Sequence, residues 1–129
     1  MIFLFILYIA TGLLLTGMAL PLVCRKIPPN HWYGFRVNRT LEDREAWFAV
    51  NAFAGRRLMS TGLATIAAAI VFRLLPITKV DTYAVAVASV MLFGLTVAVV
   101  QSFRYLYGEF VRNSTKSRAG EDSNGDEEP

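Results

Sequence analysis

Three long apolar segments restrict this chain to an α-helical membrane protein. Residues 2–23 and 82–103 contain no charged side chain, and residues 58–75 contain only Arg73, near the end of that segment. A helix of about 20 apolar residues crosses a hydrocarbon core about 30 Å thick. The sequence therefore predicts an all-α membrane protein with three transmembrane helices.

The remaining residues form a connecting loop and a tail. The chain has 129 residues, and because most of the apolar ones fall in the three segments, no separate soluble domain is expected. We interpret residues 1–112 as one transmembrane domain, with a structured loop and a short helix at 24–57 between the first two spans. The tail at 113–129 is polar and ends acidic, so we expect it to be disordered because it has little apolar surface to bury.

The distribution of basic residues predicts the orientation of the chain. Seven of the thirteen Lys and Arg residues lie in the 24–57 loop, two (Arg73 at the end of the second span and Lys79) lie at the connection to the third span, and four follow the third span. Under the positive-inside rule the loop and the C-terminus are cytoplasmic, and the N-terminus is outside. We therefore expect a multi-pass protein of the cell inner or plasma membrane whose loop meets anionic lipid headgroups. No nucleic-acid-binding motif is found in the sequence.

Small residues recur at four-residue spacing in all three spans. Such rows let helix backbones approach closely in lipid. We expect them to hold one three-helix bundle together, with a homo-oligomer as the alternative. The interiors of the spans carry no ionisable side chain of the kind that marks ion or proton pathways, which argues against a transporter. The rows are Gly12 and Thr16; Ser60, Ala64 and Ala68; and Gly94, Ala98 and Ser102.

Between the first two spans, the stretch RKIPPNHWYGFRVNRTLEDREAWF combines prolines, aromatic residues and charges. Pro28 and Pro29 fix the backbone and remove two donors, so the first helix must end before them. Gly34 stands between Tyr33 and Phe35, where a backbone that needs positive φ or a close approach favours glycine. The pattern predicts a tight turn with packed aromatic side chains.

His31, Trp32 and Tyr33 precede this glycine. Trp32 and Tyr33 are either interfacial residues at headgroup depth or contacts to a ligand, and the sequence leaves both readings open. A single histidine without a second histidine or a cysteine cluster makes a poor metal site. Cys24 is the only cysteine, so it provides neither an internal disulfide nor a metal cluster. We therefore expect no cofactor.

A short helix is predicted after the turn. Thr40 and Asp43 have the spacing of N-cap and N3 positions, and acidic residues in a first turn suit the helix dipole. Four residues of this helix share one face because they are spaced at i, i+4, i+7 and i+11. We expect this face to receive the NHWYGFR segment, either as a structural contact or as part of a shared binding surface. Its members are Arg44, Phe48, Asn51 and Gly55.

Arg36 is the charged residue best suited to a site formed by the loop and its helix. Its guanidinium can donate several hydrogen bonds at once, to Glu45, to backbone carbonyls or to an anionic group. A membrane enzyme or lipid-handling protein acting on phosphorylated headgroups is an alternative, because arginine matches phosphate geometry. That alternative lacks a convincing nucleophile and an acidic cluster for magnesium. Its candidate residues are His31, Arg36, Arg39 and Glu45.

The pattern IPPN…YGFR…T…W…N…G, within Arg25–Gly62, resembles the signature of the SdpI family of small bacterial membrane proteins. The resemblance implies a relationship to a multipass immunity protein that protects toxin-producing cells from an exported peptide toxin. That protein also takes part in signalling, by holding a transcriptional repressor at the membrane. The resemblance assigns no catalytic residue. Any shared function would depend on the matching positions, which are Pro28, Pro29, Asn30, Tyr33, Gly34, Phe35, Arg36, Thr40, Trp47, Asn51 and Gly55.

The residues and the resemblance together favour a non-enzymatic integral membrane protein of the immunity or signalling type. In this hypothesis the cytoplasmic loop and its helix form a platform that binds a protein partner or a lipid headgroup. The protein partners that the resemblance implies are a transcriptional repressor and a peptide toxin. The binding or structural motif then consists of the matching positions together with His31 and Arg44.

Overall fold

Four helices make up the computed structural model of the protein, which describes residues 1–76 and 79–124. Within that part of the chain, the side chains of residues 39, 109–111, 113–114 and 117–124 are left undescribed. The helices are α1 (Ile2–Val23), α2 (Asn38–Glu42), α3 (Arg44–Leu74) and α4 (Val80–Asn124).

The three long helices match the predicted spans. All of α1, a window of α3 and the Val80–Gly108 part of α4 are long and apolar enough to cross a membrane. This result confirms the predicted all-α membrane fold with three spans. Because α1 and α4 run in one direction and α3 in the other, the loop after α1 and the part of α4 near Phe103 lie together. We call this end of the bundle the loop end.

α3 lies between α1 and α4 and packs against both. At its contact with α1, a Cβ atom on Gly62 would lie 2.5 Å from Thr16 Oγ1 and 2.7 Å from Gly12 O. These distances are shorter than any side chain tolerates, so the two backbones approach closely only because glycines face each other. The predicted contact row of the first span, Gly12 and Thr16, is therefore confirmed.

The predicted row of α4 is also used for packing, whereas the predicted row of α3 is wrong. Ala98 and Ser102 of α4 are buried, but Ser60 and Ala64 of α3 are exposed. The buried row of α3 runs one position further along, through Thr61, Thr65 and Ala69. Thr61 and Thr65 fit there because each hydroxyl donates to the carbonyl four residues earlier, at 3.0 Å and 2.9 Å. With their donors satisfied in this way, both threonines pack as small apolar residues.

Two tyrosines join the three helices at the end opposite the loop. The Tyr8 hydroxyl of α1 donates to Ala84 O of α4 at 2.9 Å, and the Tyr83 hydroxyl of α4 donates to Ala69 O of α3 at 3.1 Å. The two rings also contact edge to face, with centroids 6.2 Å apart. A buried hydroxyl without a partner is costly. Because each tyrosine hydroxyl has a carbonyl acceptor, both tyrosines can pack in the apolar core at this end.

The helix that was predicted after the turn is the first part of α3 and continues into the second span without a break. Its N-cap is Asp43, whose carboxylate accepts from Glu45 N at 2.8 Å and Ala46 N at 3.3 Å. The prediction that Thr40 caps this helix is therefore wrong. The extended backbone of Asp43 separates α2 from α3, and only the Asp43 side chain can reach the free amides of the first turn.

The end of the chain differs from the predicted disorder. α4 continues as a helix to Asn124, where a disordered tail was expected from residue 113. A helix that extends an existing span needs no new nucleation, so each added residue costs less than it would in an isolated peptide. The expected disorder of 125–129 concerns residues outside the described part of the chain.

An aromatic loop held against the bundle as the candidate functional site

The loop begins where α1 ends in a Schellman-type cap. Lys26 N donates to Pro21 O at 3.0 Å, and Arg25 N donates to Leu22 O at 3.2 Å. Arg25 has a positive φ of 55°, the left-handed conformation that glycine usually occupies at this position. The cap reverses the direction of the chain before Pro28 and Pro29, so that the loop folds back on the bundle.

Asn30 organises the turn that follows the two prolines. Its Oδ1 accepts from Trp32 N at 2.9 Å and from Tyr33 N at 2.8 Å. Its Nδ2 donates to Pro28 O at 2.9 Å. Asparagine is common in turns because its short amide can replace backbone partners in this way. The matching position Asn30 therefore determines the path of the backbone on both sides of the turn.

Gly34 brings the loop into contact with α3. Its φ is 107°, which confirms that this turn needs a residue tolerant of positive φ. A Cβ atom here would also lie 2.5 Å from Asn51 Oδ1. Any other residue would push the loop away from the helix.

Asn51 binds the backbone of Phe35, the residue after this glycine. Its Oδ1 accepts from Phe35 N, and its Nδ2 lies 3.4 Å from Phe35 O and 3.0 Å from Trp47 O, donating to both. Asn51 is 2 % exposed. A single buried amide thus satisfies both polar groups of one loop residue.

Thr40 and Trp47 hold the two flanks of the loop. The Thr40 hydroxyl accepts from Val37 N at 3.0 Å and lies within donating distance of Val37 O and Phe35 O. Trp47 is fully buried, and its indole Nε1 donates to Ile27 O at 3.0 Å. The loop is therefore bonded to α3 ahead of the Asn30 turn and tied to α2 after it.

Two aromatic side chains connect the loop to the other long helices. Phe35 packs edge to face on Phe103 of α4, with ring centroids 4.8 Å apart. The Tyr33 hydroxyl donates to Met18 O of α1, and burial raises the pKa of Tyr33 above its ordinary value of 10.0. Together with Asn51 of α3, these contacts attach the loop to all three spans.

A cavity of about 340 Å³ lies between the loop and the bundle. Its walls are mostly apolar, and they come from the loop and from all three long helices. The hydroxyl of Ser102, which also lines it, already donates to Ala98 O at 2.7 Å. The cavity is therefore suited to an apolar group. Its lining includes Leu22, Tyr33, Phe35, Leu58 and Leu95.

Three loop residues have exposed side chains, although Trp32 also lines the apolar cavity and Arg36 lines a groove beside Leu106 and Tyr107. Trp32 is 92 % exposed, and His31 and Arg36 are also exposed. Among the side chains that the structure describes, Arg36 has no hydrogen bond or ion pair, so the predicted internal contact with Glu45 is not formed. Arg36 was expected to bond to Glu45, to backbone carbonyls or to an external anionic group, and only the last of these is compatible with its exposure.

The predicted face of the helix serves two different neighbours. Asn51 receives the loop, as expected, but Gly55 receives α1: a Cβ atom on Gly55 would lie 3.0 Å from Leu22 Cβ and 3.1 Å from Ala19 O. Arg44 lies over the Phe48 ring, 5.8 Å from its centroid. The four residues therefore do not form one common receiving surface.

Several contact residues of the loop were not identified from the sequence. Phe103 and Met18 lie in apolar spans, where nothing in the pattern distinguishes a residue that contacts the loop from one that faces lipid. Ile27 contributes only its carbonyl. Trp47 was recognised as part of the motif. A buried tryptophan needs an acceptor for its indole N–H, and this need was the available signal for the bond to Ile27 O.

Of the residues proposed for the enzymatic alternative, the three whose side chains the structure describes share no hydrogen bond or ion pair. His31, Arg36 and Glu45 are all exposed, and the side chain of Arg39 lies outside the described part of the structure. Within residues 1–76 and 79–124, no group of three or more His, Cys, Asp or Glu residues is placed to hold a metal ion.

The fold and this site define a multi-pass membrane protein in which a structured loop closes one end of a three-helix bundle. Residues 26–103 match the family model described as the SdpI/YfhL protein family. The match covers more than half of the chain, including the loop from Lys26 onward, so the chain belongs to this family and the resemblance of its motif is confirmed. Comparisons with curated proteins and with solved structures gave no significant match.

Proposed function

We propose that this protein is a non-enzymatic membrane protein of the immunity or signalling type, which presents its loop as a rigid platform to a protein partner. The carrying observation is that Trp32 is 92 % exposed on a loop whose backbone is bonded by Asn30 and Asn51. Exposed tryptophan is a frequent anchor of protein interfaces. Because the loop is ordered in advance, binding through it loses little conformational entropy.

The non-enzymatic part of the proposal is supported by how the motif uses its polar groups. The side chains of Asn30, Thr40 and Asn51 all form hydrogen bonds with the backbone of the loop or of a helix. These residues maintain the shape of the loop, which leaves His31, Trp32 and Arg36 as its exposed side chains. A surface with one large aromatic side chain and one arginine matches the composition of interface hot spots.

The basic residues around the loop support a cytoplasmic position for this platform. A cytoplasmic platform favours a soluble cytoplasmic protein, such as a transcriptional repressor, over an exported peptide toxin. Lipid contact alone is the competing interpretation of Trp32, because tryptophan also anchors proteins at the membrane interface.

Photo-crosslinking distinguishes these two interpretations. A photoreactive residue at position 32 of the full chain, activated in native membranes, is expected to give a discrete protein adduct that mass spectrometry identifies. A matched probe at position 74 is the control, because Leu74 is 81 % exposed at the opposite end of the bundle. Adducts with lipid only at position 32 would contradict the proposal.

Variants of Trp32 and Arg36 test the same proposal in cells. Trp32→Ala and Arg36→Ala are expected to abolish recruitment of the crosslinked partner while changing the free energy of unfolding by less than about 0.5 kcal/mol, as is usual for exposed positions. Full recruitment by both variants would show that the platform is not the binding surface.

A further inference from the structure

A second groove lies at the loop end, between α3 and α4, and shares no lining residue with the apolar cavity. It has a volume of about 480 Å³. Its walls differ in character from those of the cavity because they carry three arginines and one glutamine. The lining residues are Phe53, Arg57, Gln101, Arg104, Tyr105, Gly108 and Arg112.

An aromatic pair fixes one wall of this groove. The rings of Phe53 and Tyr105 stack with centroids 4.5 Å apart and an interplanar angle of 5°. The guanidinium of Arg57 lies over the Phe53 ring, 5.2 Å from its centroid. The stacking joins α3 to α4 at this level, and the cation–π contact places the Arg57 charge at the groove.

The three arginines concentrate positive charge that the described residues do not neutralise. Arg57, Arg104 and Arg112 line one groove, and none forms an ion pair with a carboxylate whose side chain the structure describes. Like charges that line one groove repel each other, and an anion bound in the groove reduces that repulsion. Guanidinium groups also match the oxygen geometry of phosphate, with several parallel donors.

Gln101 adds a polar atom that requires a donor. Its Oε1 is buried and has no hydrogen-bond partner within the described part of the chain. A buried acceptor without a partner destabilises the protein, because it has lost its hydration without gaining a protein donor. A hydroxyl group on a bound molecule would satisfy this oxygen while the arginines hold an adjacent phosphate.

The position of the groove indicates where such a molecule comes from. The uncharged stretch of α4 ends at Phe103, so Gln101 lies in its last turn, Arg104 directly follows it, and Arg112 lies about two turns further along. Residues at this depth meet lipid headgroups. Free inorganic phosphate offers the same chemistry, but it does not require a site at the membrane boundary.

We propose that this groove binds the phosphate of an anionic lipid headgroup that carries a hydroxyl, of the phosphatidylglycerol type. Arg57, Arg104 and Arg112 contact the phosphate, and Gln101 accepts from the headgroup hydroxyl. The site uses none of the loop residues, so the tests of this lipid site and of the proposed protein-binding platform are independent of each other.

The experiment titrates the purified full chain, in a neutral detergent, with short-chain phosphatidylglycerol and measures the dissociation constant by thermophoresis. Arg57→Gln and Arg104→Gln are each expected to weaken binding about tenfold, the loss typical of one charge-assisted hydrogen bond. Arg56→Gln is the matched control, because Arg56 is the neighbouring exposed arginine outside the groove, and its affinity should stay within about twofold of wild type.

Equal weakening by Arg56→Gln would show attraction to net charge only and would overturn the proposal, as would unchanged binding in both groove variants. A second measurement uses only the wild type, so it remains valid even if the variants fail to fold. Phosphatidylglycerol should raise the melting temperature of the wild type, whereas phosphatidylcholine at the same concentration should not. Equal effects of the two lipids would also overturn the site.

Two further ligands test the role of Gln101 and the source of the phosphate. Phosphatidylmethanol lacks the headgroup hydroxyls, so the wild type should bind it more weakly than phosphatidylglycerol, and Gln101→Leu should remove that difference. A difference that persists in Gln101→Leu would overturn the assignment of Gln101. If inorganic phosphate displaces phosphatidylglycerol at equal concentration, the lipid assignment is overturned in favour of a soluble phosphate.

Discussion

The Asn51 amide pairs with both backbone groups of Phe35, accepting from its N–H and donating to its carbonyl 3.4 Å away. A neighbouring strand would ordinarily provide such a pair of bonds. Here one helical side chain provides them, because the part-buried backbone of the loop must find partners somewhere. The loop and the start of α3 therefore depend on each other for their structure.

Replacing Asn51 by leucine should destabilise the protein strongly. The variant keeps the volume of the side chain approximately, but it leaves Phe35 N without a partner and leaves Phe35 O with only the Thr40 hydroxyl, 3.2 Å away, as a donor. We expect a cost of about 2–4 kcal/mol in unfolding free energy. Thermal unfolding of the detergent-solubilised protein measures the effect. Ser60→Ala is the control, because Ser60 is exposed and bonds only to its own helix. A melting temperature equal to that of the wild type would refute the role given to Asn51.

Replacing Arg25 by glycine should stabilise the protein. Arg25 holds a positive φ of 55°, which glycine adopts without strain. We expect a gain of about 0.5–1 kcal/mol after subtracting the extra freedom of glycine in the unfolded chain. Arg25→Ala is the matched comparison, since it removes the same charge and keeps the strain. A gain of equal size in both variants would assign the effect to charge instead of conformation.

The Tyr33 hydroxyl should keep its proton beyond the ordinary pKa of tyrosine. Burial raises its pKa above 10.0, so the neutral form is the one that the folded state favours. The stability that this group adds is fully present below pH 10 and is lost as the pH rises through the higher folded pKa. Difference absorbance titration of wild type against Tyr33→Phe measures that step.

The same variant gives an independent check on stability. Tyr33→Phe removes the hydrogen bond to Met18 O and should cost about 0.5–1.5 kcal/mol at neutral pH. Its unfolding free energy should fall less steeply above pH 10 than that of the wild type. A titration step at or below the ordinary pKa, or equal alkaline profiles for both proteins, would disagree with burial of this hydroxyl.

The orientation of the chain is open to direct labelling. In a Cys24→Ser background, a cysteine at position 78 should react with a membrane-impermeant maleimide in intact cells. The reason is that the positive-inside rule places the connection between the second and third spans outside. A cysteine at position 117 should react only after permeabilisation. The opposite pattern would reverse the orientation and would move the loop platform to the outer side of the membrane.

The sequence was most informative where one physical requirement dominates. Apolar length determines the spans, and the demand for positive φ at a tight turn singles out Gly34. The helical spacing that placed Asn51 on the face receiving the loop depends only on the geometry of a helix. Each of these features can be recognised locally, without knowing what else packs nearby.

The predictions failed where several residues of similar chemistry compete. Thr40 and Asp43 are both good capping residues, and the bend between α2 and α3 decides for Asp43. In the second span, Ser60 and Thr61 are both small enough for an interface, and the positions of two neighbouring helices decide for Thr61. The contact between Phe35 and Phe103 depends on the whole fold, so no local pattern predicts it.

The unbroken course of α3 has a mechanical consequence. At 1.5 Å per residue its 31 residues extend about 46 Å, which exceeds a hydrocarbon core of about 30 Å by some 16 Å. The excess is the part that carries Asn51 and Trp47, so the loop is bonded to one end of a rigid helix whose other part spans the membrane. A change in bilayer thickness that alters the tilt of α3 would therefore move the loop relative to the membrane surface.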